Sequence, residues 1–456
     1  VVSSQLQSTQ GARTQSTQTT PIEMEMTKVE VVESTLVAPG EETPRFGLWL
    51  SNLDLAAPRS HTPLVYYYPA PAPGGTAGED FFSPCRLKAA LAKALVPFYP
   101  LAGRLGVDEG GRVQIDCNAE GALFVVARAD CTGEDLFGDY VPSPELRRML
   151  VPVAPSGEPP CILAMFQVTF LKCGGAVLGT AIHHGAMDGM GAAHFIQTWT
   201  GLTRGLSVSE ACSSPPYHDR TLLRRRSPPH VDFDHLVYSS VYLNGIPRPF
   251  VTHLYSVSPK LLVDLKSQCA PGVSTYGAIT AHLWRCMCIA RGLALDSDTR
   301  LRVTANVRHR MRPPLPRQFS GNAILRDLVT VKVGNVLAQP LGFLADTIKK
   351  GLEDVDDTYV RSVIDYLELE SDKGSLQMAP GQLMPKSDMW VVSWLGMPVY
   401  DADFGWGAPR FVAPTQMFGT GTAYVMQCAN RDEGIDVLFA LEPKYQECFE
   451  EVFYGK

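Results

Sequence analysis

Apolar and polar residues alternate, or apolar residues run together, in short stretches along this chain. The pattern predicts strands over Val29–Leu36, Arg112–Ile115, Leu123–Ala127, Ile162–Leu171 and Ala176–Ile182. A Cys173-Gly174-Gly175 turn separates the last two. Helical spacing covers Cys85–Phe98, which stops at Pro100, and Gly191–Thr203. The second half shows the same mixture. Val251–Val257, Leu301–Val307, Met389–Trp394, Ala423–Cys428 and Ile435–Leu441 read as strands. Pro259–Gln268, Ser274–Arg291, Leu341–Glu353, Asp357–Leu369 and Pro443–Phe453 read as helices, and Arg312–Gln318 as a Pro-rich loop. Between the halves, Ser213–Pro229 is rich in Pro and Arg, the composition of a linker. No internal repeat is evident. The expected class is α/β (α+β), with a mixed sheet and flanking helices in each half.

At 456 residues the chain is too long for one ordinary core. The expected organisation is an extension over 1–27, an N-terminal unit over 28–212, a crossover over 213–240 and a C-terminal unit over 241–456. The extension is rich in Ser, Thr and Gln without an apolar core, so it reads as disordered and not as a secretory signal. Residues are 45% hydrophobic and 19% charged, with net charge -7, a balance that gives no reason to expect nucleic acid as a partner. The one basic run, Arg224-Arg225-Arg226, reads as a solvated loop. No apolar run is long enough to span a bilayer, so no membrane partner is expected. Eleven cysteines without a CxxC spacing argue against zinc ribbons and thiol redox chemistry. Free thiols fit a reducing compartment, so the expected localisation is cytoplasmic.

The chemistry concentrates at the end of the strand Ala176–Ile182, in His183-His184-Gly185-Ala186-Met187-Asp188-Gly189. A strand end delivers a side chain rigidly to a cleft, and imidazole is the natural general base near neutral pH. Gly185 and Gly189 suggest a tight backbone path with close approach of substrate. A metal site lacks a third ligand by spacing, so no metal is expected. No Gly-x-Ser-x-Gly elbow occurs, which leaves a serine nucleophile without support. A base without its own nucleophile suits direct transfer: it deprotonates a bound acceptor, which then attacks an activated acyl group.

His184-Gly185-Ala186-Met187-Asp188-Gly189 resembles the HxxxDG motif of the plant BAHD acyltransferases, a motif that condensation domains of peptide synthetases share as HHxxxDG. Asp403-Phe404-Gly405-Trp406-Gly407 resembles the DFGWG motif that condensation domains lack. Asp219-Arg220-Thr221, Ser274-Thr275-Tyr276 and Asn306-Val307-Arg308-His309-Arg310 are smaller matches. The resemblance spans about Lys28 to Phe453. It implies two chloramphenicol-acetyltransferase-like domains joined by a crossover loop, acting as a monomer with a channel between them. Acyl-CoA is then a co-substrate, with no resident cofactor. By the resemblance the catalytic set is His184, Asp188 and Asp403. His184 is the base, while Asp188 either polarises it or pairs with Arg308 or Arg310, the latter favoured. Asp403 is included because its loss should abolish activity, with its motif holding the channel in shape. Ser274 and Thr275, at a helix start, are the matching candidates for CoA contact.

Within that family the pattern is most similar to hydroxycinnamoyltransferases, so the expected partners are a p-coumaroyl-, caffeoyl- or feruloyl-CoA donor and a small-molecule acceptor. Shikimate and quinate transferases carry Thr-Arg where this chain has Leu395-Gly396, and often Ser where it has Leu64. Loss of the arginine removes the partner a carboxylate needs. The expectation is an amine acceptor, such as spermidine or an aromatic or guanidino amine. Shikimate or quinate is the alternative. A condensation-like enzyme, a non-catalytic acyl-CoA binder and a thioester hydrolase are the rival classes.

Overall fold

The structure is a computed structural model that describes residues 29–455, apart from 72–79, 240–241, 243–245, 373–383 and 431–433. The predicted extension 1–27 lies outside the described residues. The described strands are β1 (Val29–Val37), β2 (Gly47–Trp49), β3 (His61–Tyr68), β4 (Arg104–Val107), β5 (Val113–Asp116), β6 (Ala122–Ala129), β7 (Cys161–Ile162), β8 (Ala164–Leu171), β9 (Ala176–His183), β10 (Val251–Val257), β11 (Asp298–Asn306), β12 (Ile324–Lys332), β13 (Met389–Ser393), β14 (Phe411–Pro414), β15 (Thr422–Gln427) and β16 (Ile435–Leu441). They form one six-stranded sheet in the order β1-β6-β8-β9-β3-β14, a second in the order β10-β16-β15-β13-β11-β12, and a small sheet β2-β5-β4-β7. Both large sheets are mixed, as the sequence pattern predicts. Among the described residues no helix is long and apolar enough to cross a membrane.

The first sheet is built around β9, whose eight residues are all buried. Its run of small and β-branched residues suits a strand covered on both faces. Gly179 is obligatory there, because a Cβ would lie 1.8 Å from the Leu150 carbonyl oxygen at the end of the helix Pro144–Leu150. On the other face packs the helix Gly189–Thr203, with Phe195 and Trp199 against Phe166 at centroid distances of 5.7 and 4.9 Å. The second sheet also divides by face. Leu301, Val303, Met389 and Val391 join the core under the helix Thr275–Ala290, while Thr304, Trp390 and Val392 turn towards the first sheet.

Five of the described strands escape the sequence pattern: β2, β3, β4, β12 and β14. β3 carries Pro63, which argues against an interior strand. Pro63 lies one residue beyond the stretch Leu64–Tyr67 that pairs with β14, so its missing N–H breaks no bond of that ladder. β12 has its apolar run interrupted by Arg326 and Asp327, and β14 has only four residues.

β14 also changes the expected partition. The sequence reading gives all of 241–456 to the C-terminal unit. Yet β14 pairs with β3, and Val399, Ala402, Phe404 and Val412 are buried in the first core. The segment Val399–Pro414 therefore packs with the N-terminal sheet.

The crossover is anchored. Arg220 is buried and pairs with buried Asp54 at 3.1 Å. In the basic run, Arg226 pairs with Asp365 at 2.6 Å, Arg225 with Glu368 at 3.2 Å, and Arg224 lies over the Trp49 ring at 5.2 Å. The run is a loop with Arg224 and Arg225 exposed, as read from the sequence, and these contacts tie it to the fold. Removing one member of a buried pair strands a charge, at a cost of roughly 3–5 kcal/mol, whereas an exposed pair contributes about 0–1 kcal/mol. Arg220→Met is accordingly expected to lower the thermal unfolding midpoint by several degrees, and Arg225→Ala to leave it nearly unchanged. Equal shifts in a calorimetric comparison would contradict this ranking.

Candidate active site

β9 ends by turning its last two imidazoles into different surroundings, as the period of two requires. His183 is buried, with Nε2 3.0 Å from the Gly157 carbonyl oxygen and Nδ1 accepting from the Gly185 N–H at 3.1 Å. That pair fixes the tautomer with the proton on Nε2. Burial, with help from nearby His61, pushes its pKa down to about 4, so it is a neutral structural residue. His184 faces the other way and lines a cavity between the two sheets. Its Nδ1 is buried without a hydrogen-bond partner, which leaves Nε2 as the nitrogen offered to the cavity. Burial holds its pKa below the ordinary imidazole value, with Asp188 pulling the other way. The ring is therefore neutral, and basic, at neutral pH.

The backbone around His184 is held from the second half of the chain. The His184 carbonyl accepts from Asn322 Nδ2 at 2.8 Å, and Asn322 is itself bound through its N–H (2.7 Å) and its Nδ2 (3.0 Å) to Asp54 Oδ1. Arg220 Nη2 donates to the Ala186 carbonyl at 2.7 Å. Gly185 and Gly189 have no left-handed φ. A Cβ at Gly189 would lie 2.8 Å from the Met397 methyl group, which a shift of that flexible side chain can relieve.

Asp188 caps the helix Gly189–Thr203 by accepting from the Gly191 N–H at 3.1 Å. The same carboxylate takes Arg308 in a two-pronged pair, at 2.8 and 3.0 Å, and accepts from the Ala323 N–H at 3.0 Å. No hydrogen bond joins it to His184. Of the two arginines considered, Arg308 is the partner. Arg310 donates instead to the carbonyls of Leu352 and Val355.

The cavity encloses about 360 Å³. The first sheet contributes Thr62, Leu64, Tyr66 and Thr180. The second half contributes Thr304, Asn306, Arg326 and the stretch Trp390–Leu395. Of the three positions that set the acceptor expectation, Leu64 and Leu395 line it and Gly396 does not. Asp403, Ser274 and Thr275 do not. Ser274 caps the helix Thr275–Ala290 through the Gly277 N–H at 3.0 Å. The next aromatic, Tyr276, does line the cavity, and its hydroxyl is buried without a hydrogen-bond partner. The sequence reading included Tyr276 in the Ser274-Thr275-Tyr276 match but assigned CoA contact only to the first two residues. Asn322 was missed because its partners lie more than 130 residues away. Among the described residues no group of three His, Cys, Asp or Glu could hold a metal ion.

Asp403 works on its own turn. Its Oδ1 accepts from the Gly405 and Gly407 N–H groups at 2.7 and 2.9 Å, and those glycines sit at φ 103° and 101°, where a side chain would be strained. Phe404 is fully buried, 5.0 Å from Trp199, and Trp406 lies against Phe82 and under the Arg86 guanidinium. Tyr68 donates to the Ala402 carbonyl at 2.6 Å. Asp403 thus acts within its own turn and not on the cavity. It stands outside the cavity and fastens Val399–Pro414 to the first core.

With this geometry in place, the comparisons with known proteins agree. The Transferase family profile matches residues 27–455. The chain is 47% identical over 444 residues to putrescine hydroxycinnamoyltransferase 1 of Oryza sativa subsp. japonica, covering 93% of this chain and 98% of that protein. It is 39% identical over 445 residues to a hydroxycinnamoyl-CoA:5-hydroxyanthranilate N-hydroxycinnamoyltransferase of Avena sativa, covering 92% and 98%. Among solved structures, vinorine synthase superposes with TM-score 0.71 at 22% identity over 94% of this chain and 98% of that one, which places both in the same two-unit chloramphenicol-acetyltransferase-like fold. By full-length similarity, the chain belongs to the Transferase family, as an acyl-CoA-dependent acyltransferase of the BAHD type.

Proposed function

We propose that the chain transfers a hydroxycinnamoyl group from CoA to an amine, with His184 as general base. One observation carries the reading: a neutral imidazole, clamped through its own carbonyl, presents Nε2 to an enclosed cavity that both halves line. In the proposed sequence the neutral amine attacks the thioester carbonyl. The nitrogen's proton passes to His184 Nε2. The tetrahedral intermediate collapses, breaking the C–S bond, and the imidazolium returns the proton to the CoA thiolate. The products are an amide and free CoA, and no acyl-enzyme forms. Holding both substrates in one cavity converts the encounter into an intramolecular event, which supplies much of the rate.

The relatives' names support a hydroxycinnamoyl donor and a nitrogen acceptor. The cavity supports the acceptor class. Leu395 and Leu64 in its wall are apolar, and Gly396, outside that wall at φ 78°, replaces the arginine that the resemblance assigns to a carboxylate-bearing acceptor. Asp188 then serves as the anchor of the His184 loop. Ser274 and Thr275 are proposed contacts for CoA, at a helix N-terminus whose third residue in this run, Tyr276, reaches the cavity.

His184→Ala is expected to lower transfer from p-coumaroyl-CoA by about 10²–10⁴-fold without moving the melting temperature. Turnover persisting in that variant would sink the mechanism. Asp188→Asn is expected to cost both activity and roughly 3–5 kcal/mol of stability, because Arg308 is left buried and unpaired. Asp188→Asn with Arg308→Met should then be more stable than Asp188→Asn alone. A relay role predicts instead an activity loss with stability intact, which paired melting and rate measurements distinguish.

A further inference from the structure

The cavity is short of negative charge. Among the described residues Asp188 is the one carboxylate in its wall, and it is already engaged by Arg308, Gly191 and Ala323. Positive charge is present. Arg326 lines the wall, 5.0 Å over the Tyr238 ring. Arg302 lies on the same face of β11 as Thr304, directly across from Trp390 on β13. It is 3% exposed, and its Nε and Nη2 are buried without a hydrogen-bond partner. Among the described residues no ion pair neutralises Arg302. Burial, and then the nearby Arg326 charge, lower its pKa to about 10, which still leaves it charged at neutral pH.

An ammonium without a carboxylate can be held by aromatic faces. Here two of those faces already carry a cation. Trp390 carries the Arg302 guanidinium at 5.1 Å and stacks on Phe418 at 5.2 Å, and Tyr238 carries Arg326. A substrate bearing a second ammonium would lose its hydration shell on entry and meet like charge behind the aromatic wall, with no free anion among the described residues of that wall to offset either cost.

We infer that the acceptor is a primary amine with an aromatic, uncharged remainder, and that Arg302 and Arg326 exclude acceptors carrying a second ammonium. The inference rests on the amine reading above and selects among the amines that reading admits. It selects the aromatic amine over spermidine, the first example suggested by the sequence, and departs from putrescine, the acceptor in the name of the 47% identical rice relative. The nucleophilic nitrogen must enter neutral to attack, so it makes no demand for a carboxylate. An aromatic remainder would meet the apolar walls at Leu64, Trp394 and Leu395.

The test uses the full chain with p-coumaroyl-CoA and three acceptors, tyramine, putrescine and spermidine, with amide products identified by mass. The kcat/KM for tyramine is expected to exceed that for either polyamine by at least about tenfold. Arg302→Met should narrow that ratio by about tenfold through the polyamine KM, whereas Arg302→Lys, which keeps the charge, should preserve it. Polyamines turned over by the wild type as well as tyramine would overturn the inference whether or not the variants fold. An unchanged ratio in folded Arg302→Met would overturn the role of Arg302. Amide formation from polyamines alone defeats this inference but leaves the amine reading standing. Absence of amide from every amine, with ester formed from shikimate, defeats both.

Discussion

The Asp188 carboxylate accepts hydrogen bonds from Arg308, Gly191 and Ala323 at once. Gly191 belongs to the helix that follows the His184 loop, whereas Arg308 and Ala323 come from the second half of the chain. One side chain therefore caps a helix, closes the loop behind His184 and binds the two halves of the cavity wall together. The pair is buried on both sides, so its worth lies less in Coulomb energy than in the penalty for separating it. Arg308 spends its remaining capacity on the carbonyls of Phe319 and Gly321, so the whole segment 319–323 is positioned from the same centre. Asn322 in that segment then holds the His184 carbonyl. Orientation of the imidazole depends on this chain of contacts and not on a hydrogen bond from Asp188.

The DFGWG segment solves a separate mechanical problem. It leaves the second sheet after β13, crosses to the first, adds β14 beside β3 and returns as β15. Such an excursion needs an anchor, and the buried Phe404 with the Asp403-closed turn supplies it. Because Trp394, Leu395 and Met397 line the cavity just before this anchor, a slack turn there would loosen the acceptor wall. The buried Asp54–Arg220 pair does the corresponding work for the crossover segment.

Much of this was legible in the sequence because it is local. β8, β9 and the glycines around His184 show up as an apolar run broken by small residues, and Ser274 caps a helix where a Ser-Thr pair predicts one. The choice of Arg308 over Arg310 was not legible. The two are separated by one turn of loop, and only the fold decides which reaches Asp188. β14 and the true address of Asp403 were hidden for a related reason: four residues carry no period, and their partner strand lies some 350 residues earlier in the chain. Tyr276, Asn322 and Arg302 are ordinary residues in ordinary elements until two distant surfaces meet around them.

The central claim is that an unprotonated His184, lowered in pKa by burial, takes the acceptor's proton. A titration of His184 by ¹⁵N NMR, set beside the pH dependence of kcat/KM measured with an acceptor that does not itself titrate in that range, tests it most directly. The expected result is a single pKa below 6.5 in both, with activity lost as pH falls through it and a plateau at neutral pH. An imidazole that titrates above 7, or an acid limb that stays in place when His184 is replaced, would contradict the account.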